Sequence, residues 1–397
     1  MSHWQNVVLD NVTTKIGDGL HGTPSYDERG DFSFINGNNL LKGKVVVKAD
    51  TKKINESEYL KICKPLDEST ILVSINGTIG NVAKYNGERC ALGKSACYIN
   101  LNTSLVLRDY FYYECLSENF QSYLLNVATG TTIPNVPLKG IRSYEFLLPP
   151  LPEQKAIASV LSSLDDKIDL LHRQNKTLEA MAETQFRQWF IEEARENWED
   201  EVISNLIEVR DGTHDSPKQA PIGFPLVTSK HLDNGKLDFE SCYLISETDY
   251  KKVNSRSQVE TFDILISMIG TLGRTYIEFN SVNYAIKNIG LFKTSKNTQW
   301  KYFIYLWLNS SLGRQFVDEH KSGSTQEYLS LGSLRSIQFK KPPIEILNRF
   351  NAIVDNIFQK THANIKQMQI LEQLRDTLLP KLMSGEVRVQ YQTQEVA

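Results

Sequence analysis

The sequence is short of the residues that build metal and disulfide sites. Five cysteines, Cys63, Cys90, Cys97, Cys115 and Cys242, are spread over 397 residues without one CxxC pair. That argues against a zinc site or a disulfide framework and for free thiols in a reducing cytoplasm. The seven histidines include no HExxH pair. No apolar run approaches the roughly 18 residues that a membrane helix needs, so no membrane contact is expected. The opening stretch MSHWQNVVLD lacks the charged-then-apolar pattern of a secretory signal. An excess of positive charge is also missing, because the net charge is -3. The deficit is local. Residues 151–200 hold 6 basic and 11 acidic side chains, whereas residues 1–150 hold 15 of each and residues 201–343 hold 17 and 15. Near-neutral modules do not make a strong nonspecific phosphate clamp. If they bind DNA, affinity must lean on base contacts or on a partner.

One absence is informative in another way. Between Pro152 and Gly212 there is neither proline nor glycine. Ile157, Leu161, Leu164, Ile168, Leu171, Asn175, Leu178, Ala182, Gln185 and Trp189 follow at steps of four and three. That spacing is a coiled-coil seam on a long helix that starts behind Pro149, Pro150 and Pro152. A second such helix is expected over residues 342–382, with Phe350, Ile353, Val354, Ile357, Ile365, Met368, Leu371, Leu374 and Leu378 on its apolar face.

The two helices belong to a larger repeat. Subtracting 193 lays Phe350 on Ile157, Val354 on Leu161 and Leu371 on Leu178. The same offset lays DGTHDSP at residues 211–217 on DGLHGTP at 18–24, and ILISMIGTLG at 264–273 on ILVSINGTIG at 71–80. Gly323 and Leu331 fall on Gly130 and Leu138. His231-Leu232 and Gly235-Lys236 meet Asn39-Leu40 and Gly43-Lys44 one residue out of phase, which a small loop insertion explains. The chain is a tandem duplication of globular module and long helix.

Each module reads as mixed α and β. Strands are expected over 44–47, 71–75, 82–85, 96–101 and 144–148, and over 264–268, 275–279, 290–293 and 337–339. Single helices are expected over 108–127 and 299–319. The loops between them are rich in Gly, Asn, Thr, Ser and Lys, side chains that offer donors and acceptors to base edges and phosphates. The candidate DNA contacts in module one are Gly19, His21, Thr23, Asn36, Asn38, Asn39, Asn76, Thr78, Lys94, Ser95, Thr131 and Thr132. In module two they are Thr213, His214, Lys218, Ser229, Lys230, His231, Thr271, Arg274, Lys287, Asn288, Ser324, Thr325 and Gln326. Two bland readings stay open: the GTIG and GTLG turns as ligand-free β-turns, and His21 and His214 as caps of their own loops.

The segments PPLPEQKAIASVL at 149–161 and LRDTLLPKLMSGEVRV at 374–389, with GT(I/L)G-bearing modules between, resemble the specificity subunit of type I restriction-modification systems. The second helix departs from the pattern: Pro342-Pro343-Ile344-Glu345-Ile346 lacks the Pro-Glu-Gln of the first. The resemblance implies an α+β chain with two target-recognition domains, 1–148 and 198–341. Between and after them come a central helix, 149–197, and a C-terminal helix, 342–386, paired antiparallel, with a tail at 387–397. It implies double-stranded DNA as ligand, each domain reading one half of a bipartite target. It also implies two modification subunits as partners, with restriction-translocase subunits beyond them. The chain itself would hold no cofactor and perform no catalysis; S-adenosylmethionine would belong to the modification subunit. Gln185, Trp189, Phe190, Leu379 and Leu382 are the candidate docking residues, although packing onto module two is an equal reading for Trp189 and Phe190. A stand-alone methyltransferase reading lacks support, since the only Pro-Pro pairs precede the helices. The alternatives are a coiled-coil scaffold and a DNA-binding protein without a methyltransferase partner.

Overall fold

The computed structural model describes residues 4–130, 132–233 and 235–390. The chain divides into two compact units, Met1–Leu170 with Met368–Ala397, and Leu171–Gln367. Each unit combines one α+β domain with part of both long helices, Leu151–Arg187 and Ile344–Met383. The first helix starts where the prolines allow it: the Pro150 carbonyl accepts from the amides of Glu153 at 2.9 Å and Gln154 at 3.0 Å. It runs on through a π-helical turn, Gln188–Glu192.

In the first unit Asp165 accepts from Arg375 Nη1 at 3.0 Å and from Tyr113 Oη at 2.8 Å. Nearer the start of the first helix, Glu153 accepts from Arg388 at 2.6 Å. In the second unit Asn364 Nδ2 donates to Asn175 Oδ1 at 2.8 Å, and Phe186 meets Phe350 with ring centres 6.4 Å apart. Within each unit, partner numbers fall on the C-terminal side as they rise on the first helix, which is antiparallel packing. Six of the ten seam positions read from the sequence, Ile157, Leu161, Ile168, Leu171, Asn175 and Ala182, are buried, and Leu164, Leu178, Gln185 and Trp189 are partly exposed. Ile353 and Leu374, expected on the apolar face of the second helix, are 43% and 44% exposed. That helix's apolar stripe is therefore wider than the strip its neighbours cover.

The two domains share one topology. In the first, a four-stranded antiparallel sheet runs Thr13–Asp18, Ala96–Leu101, Thr70–Asn76, Thr78–Lys84. In the second the order is Val209–Asp211, Ile289–Phe292, Ile264–Ser267, Thr275–Ile277. A three-stranded sheet with one parallel pair lies beside each, Ile35 opposite Leu92 in one and Thr228 opposite Lys287 in the other. A two-stranded ribbon closes each domain, Gln5–Val8 with Glu145–Leu148 and Asp200–Val202 with Gln338–Lys340.

Several elements differ from the sequence expectation. The helix expected over 108–127 is two, Arg108–Leu116 and Glu118–Val127, and that over 299–319 is Lys301–Asn309 and Ser311–His320. Ser117 and Ser310, equivalent in the repeat, start the second helix of each pair by accepting from the amides of Phe120 and Gly313. The strands Thr13–Asp18, Phe32–Ile35 and Gln219–Thr228 were not anticipated. The last contains Pro221, Gly223 and Pro225, which read as loop. Its pairing slips between Gln219 and Phe224, so Pro221 and Gly223 sit in an irregularity that tolerates them, while Pro225 lies just past the slip, opposite Leu244. Residues 387–390, read as tail, pack Val389, partly buried, against the core of the first unit.

Candidate nucleic-acid interface

The sheet register gathers the polar loops. In the first domain Asp18 pairs with Cys97, Ala96 with Ser74, and Asn76 with Thr78. The loops beyond Asp18, before Ala96 and between Asn76 and Thr78 therefore leave the sheet at one end. The loop that follows Phe32–Ile35 joins them, since the Asn36 side chain accepts from Ser95 Oγ at 2.9 Å and Gly37 N–H donates to Ser95 Oγ at 2.9 Å. The loop ending at Asn135 joins as well: Gly77 N–H donates to the Pro134 carbonyl at 3.0 Å, and Asn76 Nδ2 to Asn135 Oδ1 at 3.1 Å. The structure thus brings Gly19, His21, Asn36, Asn38, Asn39, Asn76, Thr78, Lys94, Ser95 and Thr132 to one end of one sheet. His21, Asn38, Thr78, Lys94 and Thr132 are exposed there. Thr23 is exposed further along its loop, and Thr131 lies outside the described residues.

The second domain repeats the arrangement. Asp211 pairs with Gly290, and Ser267 with Ile289. Ser229 Oγ donates to the Asn288 carbonyl at 2.8 Å, and the Met268 carbonyl accepts from Leu329 N–H at 2.8 Å. Thr213, His214, Ser229, Lys230, His231, Thr271, Arg274, Lys287 and Asn288 are gathered, with Ser324, Thr325 and Gln326 on the neighbouring loop between the bridged residues Ser322 and Tyr328. Lys218 is exposed beyond them.

The GT(I/L)G turns are built alike. Ser74 Oγ accepts from Asn81 N–H at 2.8 Å, and Ser267 Oγ from Arg274 N–H at 2.9 Å. Gly77 and Gly270 both have φ +74°, and a Cβ on either would meet nothing within 4 Å. Glycine is there for its left-handed backbone, not for want of room. Both turn tips are open to a ligand.

The histidines act as loop supports as well as surface groups. His21 Nε2 lies 2.6 Å from the Asp18 carboxylate, and His214 Nε2 lies 2.9 Å from that of Asp211. Asp211 also accepts from Arg256 at 2.5 Å, and His214 Nδ1 lies 2.8 Å from Asn288 Oδ1.

Some expected contacts are framework. Asn39 and His231 are buried at 4% and 1% exposure. Each closes a turn on its own loop, with Asn36 N–H donating to Asn39 Oδ1 at 3.0 Å and Thr228 N–H to His231 Nδ1 at 2.9 Å. Burial, then the neighbouring charge of Lys230, holds His231 below the usual histidine range, so its Nδ1 stays an acceptor. Gly19 and Ser229 are buried too. These four shape the loops from beneath and present no free side chain. Arg274 is half-buried, tied to the Leu232 carbonyl at 3.1 Å and to Asp233 at 3.4 Å.

The docking residues need a similar correction. Phe190 is buried among Trp198, Phe303 and Phe350, and Leu382 lies in the core of the first unit. Both are aromatic or aliphatic side chains whose burial against their own domain is worth more than exposure to a partner. Gln185, Trp189 and Leu379 keep partial exposure.

Sequence reasoning missed Asn81, whose Nδ2 donates to the Gly37 carbonyl at 3.1 Å, and the supporting carboxylates Asp18 and Asp211. The two aspartates stood in the matched DG loops, and Asn81 falls on the candidate Arg274 at the 193-residue offset, a signal that could have found it. Among the described residues there is no cluster of His, Cys, Asp and Glu able to hold a metal, and no helix long and apolar enough to cross a membrane.

A family model described as a type I restriction modification DNA specificity domain matches residues 1–180 and again residues 195–375. The chain belongs to the type I restriction-modification DNA specificity family. The double match restates the internal repeat. Among curated members, the type I restriction enzyme MjaIX specificity subunit of Methanocaldococcus jannaschii is 29% identical over 308 residues, covering 72% of this chain and 70% of that protein. The EcoBI specificity subunit of Escherichia coli is 20% identical over 431 residues, covering 98% and 88%. The crystal structure of a type I restriction-modification S subunit from M. genitalium aligns over 96% of both chains with a TM-score of 0.59 at 18% identity. That S subunit shares this fold.

Proposed function

We propose that this chain is the DNA-reading, non-catalytic subunit of a type I restriction-modification complex. One observation carries the reading: the same polar loop set stands at the same end of two equivalent sheets, one per domain. Each domain reads one half of a bipartite double-stranded target. The long helices set the unread gap and dock two modification subunits, which supply S-adenosylmethionine chemistry. Restriction-translocase subunits join through that core. Two roughly equivalent surfaces suit two copies of one partner. A cytoplasmic setting suits five cysteines that all remain free thiols.

The near-neutral domains bear on how this binding is tested. The purified chain alone should retain duplex DNA weakly and lose it as salt rises. With its modification subunit it should bind tightly and by sequence. A gel shift with and without that subunit checks this, and methyl transfer by the chain alone, or unselective binding by the complex, would refute it.

A further inference from the structure

The loop beside each GT(I/L)G turn keeps its backbone and changes its tip. Thr129 and Asn135 exchange backbone hydrogen bonds at 2.8 and 2.8 Å, and Ser322 and Tyr328 do so at 2.9 and 2.9 Å. Gly130 and Gly323 have φ +93° and +95°. A Cβ on Gly130 would meet the Ile133 carbonyl at 2.8 Å, and one on Gly323 the Gln326 carbonyl at 2.4 Å. Ile133 and Gln326 therefore hold the same place in the two turns. Their backbones are committed to the turn and their side chains are not. Ile133 is 62% exposed and Gln326 is exposed. An exposed isoleucine alone needs no explanation. Here, though, an apolar tip in one domain and an amide tip in the other stand on one scaffold, beside the open turns of the proposed interface.

Those two chemistries fit the two halves of one base pair. In the major groove, thymine presents a methyl group, which apolar side chains contact, and adenine presents N6 and N7, which a Gln amide meets with two hydrogen bonds. Resting on the DNA-reading function proposed above, we infer that positions 133 and 326 are specificity-determining. Ile133 reads the thymine methyl of an A·T pair in the first half-site, and Gln326 reads the adenine of an A·T pair in the second.

The test pairs a protein change with a DNA change. The complex of this chain with its modification subunit is bound to a duplex carrying the target mapped by methylation sequencing. Each thymine of the first half-site is replaced in turn by uracil, which lacks the methyl group. One replacement should weaken the wild-type complex about five- to tenfold and leave the Ile133→Ala complex unaffected. Gln326→Ala should relax one A·T position of the second half-site by a similar factor and leave the first as it was. If no uracil replacement is attenuated by Ile133→Ala, or if either variant alters the other half-site, the assignment is wrong. Failure of the two-half reading itself would look different: the mapped target would not be bipartite.

Discussion

Glu114 gives the account a test of its packing. Its carboxyl is 4% exposed in the aromatic core of the first domain, where Oε1 accepts from Tyr144 Oη at 2.5 Å. Burial pushes the carboxyl up to about 7, and the hydrogen bonds from Tyr144 and Ser117 offset only part of that. In the unfolded chain it titrates at its ordinary 4.5. Between these values the folded state holds a proton that the unfolded state has lost. Stability therefore falls as pH rises from about 4.5 to about 7, and the loss is complete above that. The ionised form is penalised by about 3 kcal/mol across that interval. Glu114→Gln keeps an oxygen for Tyr144 and removes the titration. Urea unfolding of the full chain, followed at pH 5, 6, 7 and 8, should show the wild type losing stability to pH 8 while the variant stays level. The two curves should separate by about 2–3 kcal/mol between the extremes, relative to their separation at pH 5. Parallel curves would refute the argument, because they would place the ionised carboxylate in water.

Other changes follow from named contacts. Glu153, 4% exposed at its side chain, accepts from Trp4 Nε1 at 2.9 Å and from Arg388 at 2.6 Å, and Arg388 lies 4.5 Å from the Trp4 ring. With Arg388 about half exposed, Arg388→Ala should cost about 1 kcal/mol and raise hydrogen exchange in Gln5–Val8. Asn175→Leu takes from Asn364, 1% exposed, its 2.8 Å acceptor and should cost about 1–3 kcal/mol in thermal unfolding. Adding Asn364→Leu should restore most of that loss, since both partners are then apolar. If the long helices set the gap, four helix-favouring residues inserted near Asn175, with four matching ones near Met368, lengthen them by about 6 Å. Methylation mapping should then find the gap one base pair longer and both half-sites unchanged.

Much of the architecture was legible because the duplication shows its landmark segments twice. A hydrophobic strand ending in GT(I/L)G cannot be mistaken when its copy stands 193 residues on. The first helix was legible because no proline or glycine interrupts its seam. Strand Gln219–Thr228 was not, because Pro221 and Gly223 occupy an irregular stretch and Pro225 follows it directly, a composition that reads as loop without the neighbouring strands. The helix breaks at Ser117 and Ser310 were visible as serines but not as caps, since an apolar run on either side reads as one helix. At the site, the loops were found and the depth of each side chain was not. His231 and Asn39 have the composition of contacts, yet the chain turns on them. Side-chain depth depends on which loop covers which, and local sequence does not carry that.

The central claim, that each domain reads its own half of the target, is tested most directly by exchanging one domain. Residues 1–148 are replaced with the corresponding module of another family member, the complex is assembled with the modification subunit, and its methylated sites are sequenced. One half-site should change to that of the donor, with the other half-site and the gap retained. A target in which both halves change together, or in which neither does, would contradict the claim.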